Sequence, residues 1–149
     1  GITVSSSLIR EKLGNAEIVL TNRMLGRYFF IDGVVTEGDK LGRELGYPTI
    51  NIKTPNELLP IGVFQTTVEI DTQAYPSITY IGSRPTFNGG DVKVETHILG
   101  FEQQIYGKNV RLFFEKRIRG DMKFDSEMEL VRQIKKDIDS LDVDKGVVF

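Results

Sequence analysis

The chain has no cysteine and no tryptophan, and among its 149 residues it has a single histidine, His97. Without cysteine it can form neither disulfides nor thiolate metal sites, which fits a reducing compartment. One histidine excludes a zinc site built from several imidazoles and any catalytic motif that needs two histidines. The nucleophile-elbow pattern G-x-S-x-G and the Walker pattern G-x-x-x-x-G-K-[ST] are also absent, so neither of those sites is expected.

Long apolar runs and a strong net charge are missing as well. No apolar run is long enough to span a bilayer, and no signal-peptide pattern opens the chain. The formal net charge of −2 argues against a general nucleic-acid or membrane-surface binder, because such proteins carry a basic footprint. We therefore expect a cytoplasmic protein with neither nucleic acid nor membrane as a partner. Its length suits one compact domain with a short appendage.

Two short helices are predicted over residues 4–25. Serines at positions 5–7 can cap the first helix, and Gly14 can end it. Asn15 can cap the second helix, which should finish before Gly26. Both are too short to be stable alone, so we expect them to pack against a neighbour.

From residue 27 onward the sequence favours strands separated by turns. Segments rich in β-branched and aromatic residues alternate with clusters of Gly, Pro, Asn and Asp. Several short strands with no long helix between them indicate an antiparallel barrel or sandwich. The predicted strands are Tyr28–Ile31, Val63–Ile70, Ile78–Ile81, Val92–Leu99 and Val110–Phe114.

One helix is predicted near the C-terminus. Ser126 and Glu129 form an S-x-x-E capping box, and apolar residues follow at helical spacing. The opposite face is charged, as expected of a solvated surface. We expect this helix to pack on the barrel and to cover an open end. The apolar stripe comprises Leu130, Ile134, Ile138 and Leu141, and the charged face comprises Arg132, Lys135, Lys136 and Asp139.

The most informative segment is Gly33–Asn51, GVVTEGDKLGRELGYPTIN, which combines glycines, basic side chains and a closing P-T-I-N. Glycine-rich backbone can approach a phosphate closely and turn its N–H groups toward it. Thr49 and Asn51 add two neutral oxygens that point the same way in a strand, with Ile50 turned into the core. Such a pair can hold Mg²⁺, which takes most of its charge from the phosphates. The alternative is an ordinary turn into a strand, in which Pro48 fixes φ.

Several ordered motifs resemble the riboflavin kinase family. The resemblance begins in the glycine segment and extends from about Gly26 to the closing helix, which makes it specific. It implies a mainly β fold: a six-stranded antiparallel barrel of Greek-key type, with a C-terminal helix and short N-terminal helices. It also implies phosphorylation of riboflavin by Mg-ATP to give FMN and ADP. The further motifs are Gly62–Phe64, Ile81–Phe87, Glu95–His97, Tyr106–Gly107 and Arg119–Ser126.

The N-terminal residues carry a second resemblance. Val4–Arg10, VSSSLIR, is similar to the final I-S-S-S/T-x-x-R motif of FMN adenylyltransferases. That module commonly precedes the kinase in bifunctional bacterial FAD synthetases. The resemblance implies that residues 1–25 are a helical remnant of the upstream module and residues 26–149 a riboflavin kinase domain. The adenylyltransferase's histidine-bearing nucleotide motif is absent here, so we expect no FMN adenylyltransferase activity from this chain.

Glu95 is the candidate general base for the primary hydroxyl of the ribityl chain. A strand would hold its carboxylate rigidly, and Glu95–His97 matches the family's E-T-H element. The alternative is a cross-strand pair with Lys93 or with another lysine, which is the commoner role of a glutamate in a strand. His97 shares this strand face, and we expect it to be structural and hydrogen-bonded near the barrel rim.

The resemblance implies further contacts to the nucleotide. Arg43 matches a basic residue of the family that steadies phosphate oxygens, whereas for Lys40 a solvated loop position is nearly as good an explanation. Tyr106 is expected beside the adenine, with a core position as its alternative. The predicted nucleotide-binding residues are Gly38, Lys40, Arg43, Thr49, Asn51 and Tyr106, of which Thr49 and Asn51 would also bind the metal.

The flavin is expected to lie against the loop that precedes the C-terminal helix. By resemblance, Arg119, Met122 and Phe124 contact it, in an apolar slot with a few polar groups. Phe124 can equally pack on the helix that Ser126 caps, since an apolar residue just before a cap often does so.

Three positions depart from the family's pattern. Ile50 replaces the usual alanine of P-T-A-N, a larger group that the core must absorb. Tyr80 stands where asparagine often precedes Ile-Gly, and Gly120-Asp121 replaces Asp-Glu after Arg119. The last two departures affect the flavin contacts and leave the metal and base residues in place.

Two other functions are compatible with a small barrel. One is a barrel that binds or senses flavin without turnover, against which Thr49, Asn51 and Glu95 all argue. The other is a barrel that binds single-stranded nucleic acid through aromatics such as Tyr28 and Phe29. The acidic balance of the chain argues against that function.

Overall fold

The computed structural model of the chain describes residues 6–37, 46–56, 58–84, 91–101 and 103–142. Its strands are β1 (Phe29–Glu37), β2 (Ile50–Lys53), β3 (Gly62–Ile70), β4 (Gln73–Arg84), β5 (Asp91–Ile98) and β6 (Asn109–Arg119). Its helices are α1 (Ser6–Gly14), α2 (Ile18–Leu25) and α3 (Glu127–Asp139). The strands form a closed antiparallel barrel in the order β1-β2-β5-β4-β3-β6. The predicted mainly β fold, with six strands and helices near both termini, is confirmed.

The barrel has Greek-key connections. β3, β4 and β5 are consecutive neighbours, whereas β2 returns beside β5 and β6 beside β3. The β3–β4 hairpin turns through Asp71 and Thr72, whose φ values are 50° and 70°. Positive φ at both central residues gives the two-residue turn whose twist matches that of the flanking strands. The strand predicted over Val63–Ile70 thus ends where this turn begins.

Alternate residues of each strand fill the barrel. On β5, Val94, Thr96 and Ile98 are buried in the interior, while Glu95 and His97 face outward. Ile50 also packs against the interior cluster, which accommodates its extra bulk relative to alanine.

Four hydroxyl groups lie among the apolar side chains of the interior. Thr66 Oγ1 is 2.7 Å from Ser77 Oγ and 2.8 Å from Thr79 Oγ1. Thr79 Oγ1 is in turn 2.9 Å from Thr96 Oγ1. We call Thr66, Ser77, Thr79 and Thr96 the hydroxyl cluster. Each member has a partner, so burying these polar groups is compensated.

Gly33 is required by the packing of the barrel wall. A Cβ at this position would lie 2.5 Å from Ile52 Cγ2 and 2.7 Å from the carbonyl oxygen of Lys53. β1 and β2 can approach this closely only because residue 33 has no side chain. The first glycine of the segment predicted to bind phosphate thus serves the fold.

The N-terminal helices pack into the barrel. Leu13, Ala16 and Ile18 belong to the same buried cluster as the interior residues of the strands. Asn22 joins α2 to the wall, since its Nδ2 donates to the carbonyl oxygen of Phe114 at 2.8 Å. Its Oδ1 accepts from the backbone N–H of Phe29 at 2.7 Å.

The ends of these helices follow the predicted pattern in part. α1 ends at Gly14, and Gly26 ends α2 with a φ of 70°, as expected of a helix-terminating glycine. The prediction that Asn15 caps α2 is wrong, because α2 begins three residues later, after Glu17. The side chain of Glu17 makes no capping hydrogen bond. None of the helices in the described part of the chain is long and apolar enough to cross a membrane.

α3 begins at the predicted capping box. Ser126 Oγ accepts a hydrogen bond from the backbone N–H of Glu129 at 3.2 Å. The carboxylate of Glu129 reaches back to the N–H of Asp125 at 3.1 Å, one residue beyond the usual partner.

α3 packs on the outer face of the barrel. Ile138 and Leu141 contact Val63 and Ile78, whose side chains alternate with the interior residues of β3 and β4. This position differs from the expected one over an open end, because β3 and β4 present an apolar patch on their outer face that needs a cover. The helix therefore lies against the outward-facing residues of β3 and β4.

Candidate active site

The predicted metal and base residues lie side by side on the outer face of the barrel. Asn51 of β2 is the register partner of Glu95 of β5, and Glu95 is the partner of Tyr80 of β4. Directly opposed residues of antiparallel strands point to the same face, with Cβ atoms about 4.5–5.5 Å apart. Thr49 shares this face because it is two positions from Asn51. We call Thr49, Asn51, Glu95 and Tyr80 the outer row.

Two oxygen atoms of the outer row are suited to bind a cation. Thr49 Oγ1 and Asn51 Oδ1 are buried and have no hydrogen-bond partner among the described residues. Asn51 Nδ2 donates to the carbonyl oxygen of Glu37 at 2.9 Å, which leaves Oδ1 as the free end of the amide. A buried oxygen without a partner costs about 1–3 kcal/mol, so a ligand is expected to meet it. Neutral oxygens together with phosphate suit Mg²⁺, and the donor set therefore fits this ion.

Glu95 contacts a lysine on its own strand. Its Oε1 lies 3.1 Å from Nζ of Lys93, two residues earlier, rather than from a lysine across the sheet. The Glu95 side chain is 18% exposed and that of Lys93 33%, and the Oε1 atom of Glu95 is itself buried. The ammonium group of Lys93 therefore compensates part of the charge of Glu95 within the outer face of β5.

A polar cavity of about 300 Å³ opens beside Asn51. Lys53 and Lys93 line it, so two ammonium groups flank the predicted cation site. Neither lysine was predicted to belong to the site, because a strand lysine usually faces solvent. The available signal was spacing, since Lys53 follows Asn51 by two residues and Lys93 precedes Glu95 by two. The other lining residues are Thr36, Ile52, Thr54, Asn56, Leu59, Val92 and Val94.

His97 holds the segment that leads into β2. Its Nδ1 donates to the carbonyl oxygen of Pro48 at 2.7 Å, and its ring meets that of Tyr47 edge-on, with centroids 5.8 Å apart. Because a carbonyl can only accept, the Nδ1 atom carries the proton. Burial lowers the pKa of His97 below its ordinary value of 6.5, and the bond to Pro48 offsets part of this. The predicted structural role, with a hydrogen bond near the rim, is confirmed.

Arg119 is tied to α3 by an ion pair. Its Nε and Nη2 atoms each donate to the carboxylate of Asp137 at 2.9 Å, and its Nη1 donates to the carbonyl oxygen of Gly120 at 3.0 Å. Asp137 is 2% exposed and also accepts a hydrogen bond from Gln133. The guanidinium lies over Phe124, with Cζ 5.9 Å from the ring centroid. The pair thus joins the helix to the loop predicted to bind flavin.

Tyr80 turns its ring toward α3 and packs against the apolar patch beneath the helix. Its hydroxyl oxygen is buried and makes no hydrogen bond of normal geometry with any described residue. Burial raises the pKa of Tyr80, and the negative charge of the nearby Asp137 raises it further. The hydroxyl therefore keeps its proton at neutral pH.

The remaining flavin and adenine residues are partly exposed. Met122 is exposed and Phe124 half-buried in the loop after β6. Tyr106 is 43% exposed, so the alternative that placed it in the core is wrong, and Ile105 takes the buried position. The backbone N–H of Gly107 donates to the carbonyl oxygen of Val35 at 2.8 Å. This turn lies on the side of β1 away from β2, and hence away from the outer row.

Three predicted phosphate contacts lie outside the described residues, namely Gly38, Lys40 and Arg43. The same holds for Pro85, Thr86 and Phe87 of the Ile81–Phe87 motif.

Known proteins are similar to this chain in sequence, and two solved structures are similar in fold. A family model described as flavokinase (riboflavin kinase) matches residues 25–143. The bifunctional riboflavin kinase/FMN adenylyltransferase of Bacillus subtilis (strain 168) is 37% identical over 139 residues, covering 90% of this chain and 44% of that protein. The protein of the same description from Haemophilus influenzae is 38% identical, covering 92% of this chain and 45% of its own length. The chain thus spans less than half the length of these relatives.

Two solved structures resemble the chain. A Streptococcus pneumoniae structure described as a macrolide-efflux protein has a TM-score of 0.86 at 34% identity, covering 92% of this chain and 46% of that one. A riboflavin kinase from Trypanosoma brucei has a TM-score of 0.52 at 26% identity, covering 74% of both chains.

Proposed function

The chain belongs to the riboflavin kinase family, and on this basis we propose that it transfers the γ-phosphoryl group of ATP to the primary hydroxyl of riboflavin. The products are FMN and ADP. The observation that carries the proposal is the outer row, in which the buried oxygens of Thr49 and Asn51 adjoin the carboxylate of Glu95. Phosphoryl transfer needs a place for the metal–polyphosphate beside a group that can receive the proton of the acceptor, and the outer row offers both.

Glu95 acts on the acceptor. Its carboxylate accepts the proton of the primary hydroxyl while the oxygen forms a bond to the γ-phosphorus and the bond to the β-phosphate oxygen breaks. The proton ends on Glu95, and ADP leaves with the bridging oxygen. β5 holds the side chain in place through its pairing with β2 and β4, so the geometry exists before substrate binds.

Thr49 Oγ1 and Asn51 Oδ1 would hold the Mg²⁺ that accompanies ATP. When bound, this ion supplies positive charge that neutralises the polyphosphate. The bond from Asn51 Nδ2 to Glu37 fixes the amide so that Oδ1 faces the site. His97 fixes the approach to Thr49 through its bond to Pro48.

The remaining contacts divide between the two substrates. Lys53 and Lys93 stand at the polar cavity beside Asn51, where their charges favour phosphate oxygens. On the family resemblance, the nucleotide also contacts Gly38, Lys40, Arg43 and Tyr106, and the flavin contacts Arg119, Met122 and Phe124. Because the reaction consumes ATP, we assign it to the cytoplasm.

Residues 1–25 are proposed to be the last helices of an upstream adenylyltransferase module, with the kinase domain beginning at residue 26. The family model starts at residue 25, and the bifunctional relatives are more than twice as long as the matched region, which supports this boundary. Leu13, Ala16 and Ile18 are buried in the core cluster of the barrel, so we expect the two helices to stabilise the kinase domain as well. FMN adenylyltransferase activity is not expected from this chain.

One assay tests the proposal. Riboflavin and Mg-ATP are incubated with the folded chain, and FMN and FAD are resolved by chromatography. We expect FMN without FAD, and no product when the metal is chelated. Riboflavin binding without FMN formation would instead identify a flavin-binding or flavin-sensing barrel and overturn the proposal.

A further inference from the structure

The two strands that carry the proposed metal and base residues also carry two lysines on the same face. Asn51 of β2 is the register partner of Glu95 of β5. Because these strands are antiparallel, moving two residues along each of them places Lys53 of β2 opposite Lys93 of β5. Both lysines line the polar cavity beside Asn51. Like charges on directly opposed positions repel each other, so an acidic partner for one of them stabilises the arrangement.

Glu95 supplies this partner for Lys93. The Nζ atom of Lys93 lies 3.1 Å from Oε1 of Glu95, and that oxygen is buried. The Lys93 side chain is half-buried, whereas Lys53 is exposed. Salt and water screen a partly buried pair less than a pair on the open surface. The ammonium group of Lys93 is therefore held at the carboxylate of Glu95.

The strand on the other side of Lys93 offers no competing side chain. Its register partner on β4 is Gly82. The carboxylate of Asp121, in the loop after β6, lies over Gly82, with Oδ2 3.4 Å from the position that a Cβ would occupy. The ion pair of Lys93 is nevertheless with Glu95, two positions along the same strand. Because β2 and β4 both pair with β5, the backbone fixes the separation of the two side chains.

This contact matters for a general base, because the accepting oxygen must point at the proton that it removes. The last torsion of a glutamate side chain is broadly distributed, so a strand alone does not set the plane of the carboxylate. A cation held at Oε1 restricts that torsion. It thereby sets the direction in which the second oxygen of Glu95 points.

We propose that Lys93 is a positioning residue, which holds the carboxylate of Glu95 in the orientation that accepts the proton of the acceptor hydroxyl. The inference rests on the proposed function. To the charge that Lys93 presents to the cavity it adds a task that is carried out through Glu95. Lys53 presents its charge to the same cavity from the other strand and is the natural comparison.

A double-mutant cycle tests whether Lys93 acts through Glu95. Lys93→Met removes the charge and keeps most of the length, and Lys93→Arg keeps the charge. Both substitutions, and Lys53→Met for comparison, are made in wild type and in Glu95→Gln. Initial rates give kcat and KM for ATP, and flavin fluorescence gives riboflavin affinity. Lys116→Met is the matched control, because Lys116 is 32% exposed and forms an ion pair with Asp142 away from the outer row.

A second cycle needs no turnover. Urea unfolding of Lys93→Met, Glu95→Gln and the double variant gives the coupling between the two side chains in the absence of substrate. It also shows whether each variant is folded. We expect the two substitutions to be non-additive, as residues in direct contact are.

For Lys93→Met we expect kcat to fall roughly tenfold to a hundredfold, the effect of a misplaced reacting group. In the Glu95→Gln background the same substitution should change kcat by less than about twofold, because no base remains to be positioned. Lys93→Arg should recover most of the loss. Lys53→Met should change KM for ATP by the same factor in both backgrounds, since it does not act through Glu95. Riboflavin affinity should stay within about twofold throughout, and Lys116→Met should match wild type in kcat.

Three results would overturn the inference: an equal fall in kcat in both backgrounds, an effect of Lys93→Met confined to KM for ATP, or additive effects on unfolding. The first two would mean that Lys93 acts on the nucleotide, and the third that the ion pair is absent in solution. If wild type forms FMN and any of these results is found, the positioning role alone is refuted. If folded wild type forms no FMN, the proposed function is refuted and the positioning role with it.

Discussion

Arg119 and Asp137 join the last strand of the barrel to α3 through two parallel hydrogen bonds of 2.9 Å each. Asp137 is almost fully buried and Arg119 is 15% exposed, so little water can replace either partner. Breaking a buried pair by removing one charge leaves the other uncompensated, which is more costly than losing the attraction itself.

Asp137→Asn should therefore destabilise the fold. We expect the free energy of unfolding to fall by about 2–4 kcal/mol, below the upper range for buried pairs because Arg119 keeps some contact with water. Urea unfolding followed by circular dichroism would measure the change. Lys135→Gln, on the exposed charged face of the same helix, is the control and should change stability by less than about 0.5 kcal/mol. Equal effects of the two substitutions would contradict the importance of the pair.

Glu95→Gln should abolish most turnover while the protein still binds both substrates. The amide keeps the size of the side chain but cannot accept the proton, so we expect kcat to fall by about 10²–10⁴-fold. FMN formation under saturating riboflavin and Mg-ATP would measure it, with riboflavin affinity as the binding readout. Glu69→Gln, an exposed glutamate on β3, is the control. Near-normal turnover of folded Glu95→Gln would remove this residue from the mechanism.

Thr49 can be tested as a metal ligand by a pair of substitutions. Thr49→Val removes the oxygen and keeps the shape, so we expect the Mg²⁺ concentration for half-maximal ADP binding to rise roughly tenfold. Thr49→Ser keeps the oxygen and should stay close to wild type. Calorimetric titration of ADP at several Mg²⁺ concentrations gives the comparison without requiring turnover. If valine and serine behaved alike, Thr49 Oγ1 would not be a ligand.

His97 should make stability depend on pH. Because its pKa is lower in the folded state than the ordinary value of 6.5, the unfolded chain binds more protons as the pH falls through that value. The free energy of unfolding should therefore decrease as the pH falls below about 6.5, by no more than about 1.4 kcal/mol per pH unit. The decrease should stop once the pH is below the pKa of His97 in the folded state. The stabilisation contributed by neutral His97 is fully present above the pKa of the unfolded chain.

Urea unfolding between about pH 5.5 and 7.5 would show this effect, since most carboxylates titrate below that range. His97 is the only histidine of the chain, so His97→Gln removes the one imidazole that can contribute. Its stability should be nearly flat over the same interval. A variant with the same slope as wild type would assign the pH dependence to another group.

Local sequence chemistry predicted those features that depend on neighbouring residues. The capping box of α3, the two-residue turn at Asp71 and the alternation along β5 are each set by contacts within a few positions. β2 has only four residues, and these residues are identified as a strand only by their pairing with β1 and β5. The spacing of Thr49 and Asn51 predicted that their side chains share a face, but no strand pattern predicted β2 itself.

Features that depend on contacts between distant residues could not be predicted from the sequence. The sequence suggests that Gly33 belongs to a phosphate-binding loop, whereas in the structure β2 lies too close to Gly33 for any side chain to fit. Asp137 has the spacing of the buried stripe, three residues after Ile134, but a carboxylate is not expected at a buried position, and its partner Arg119 lies 18 positions earlier. Tyr80 departs from the family's pattern, yet its position between Glu95 and the loop after β6 follows only from the register of four strands. Such placements come from the closure of the barrel.

The hydroxyl cluster has a consequence for the alignment of the strands. Thr79 and Thr96 are register partners inside the barrel, adjacent to the pair Tyr80 and Glu95 outside it. A slip of β5 by one residue would turn Glu95 inward, and the apolar interior opposes that error. A slip by two residues would keep every side chain on its proper face, so hydrophobicity alone would tolerate it. It would, however, separate the Thr96 hydroxyl from Thr79 and leave it without a hydrogen bond in the core, which is unfavourable. The hydroxyl cluster therefore disfavours a misalignment that would also move Glu95 away from Asn51.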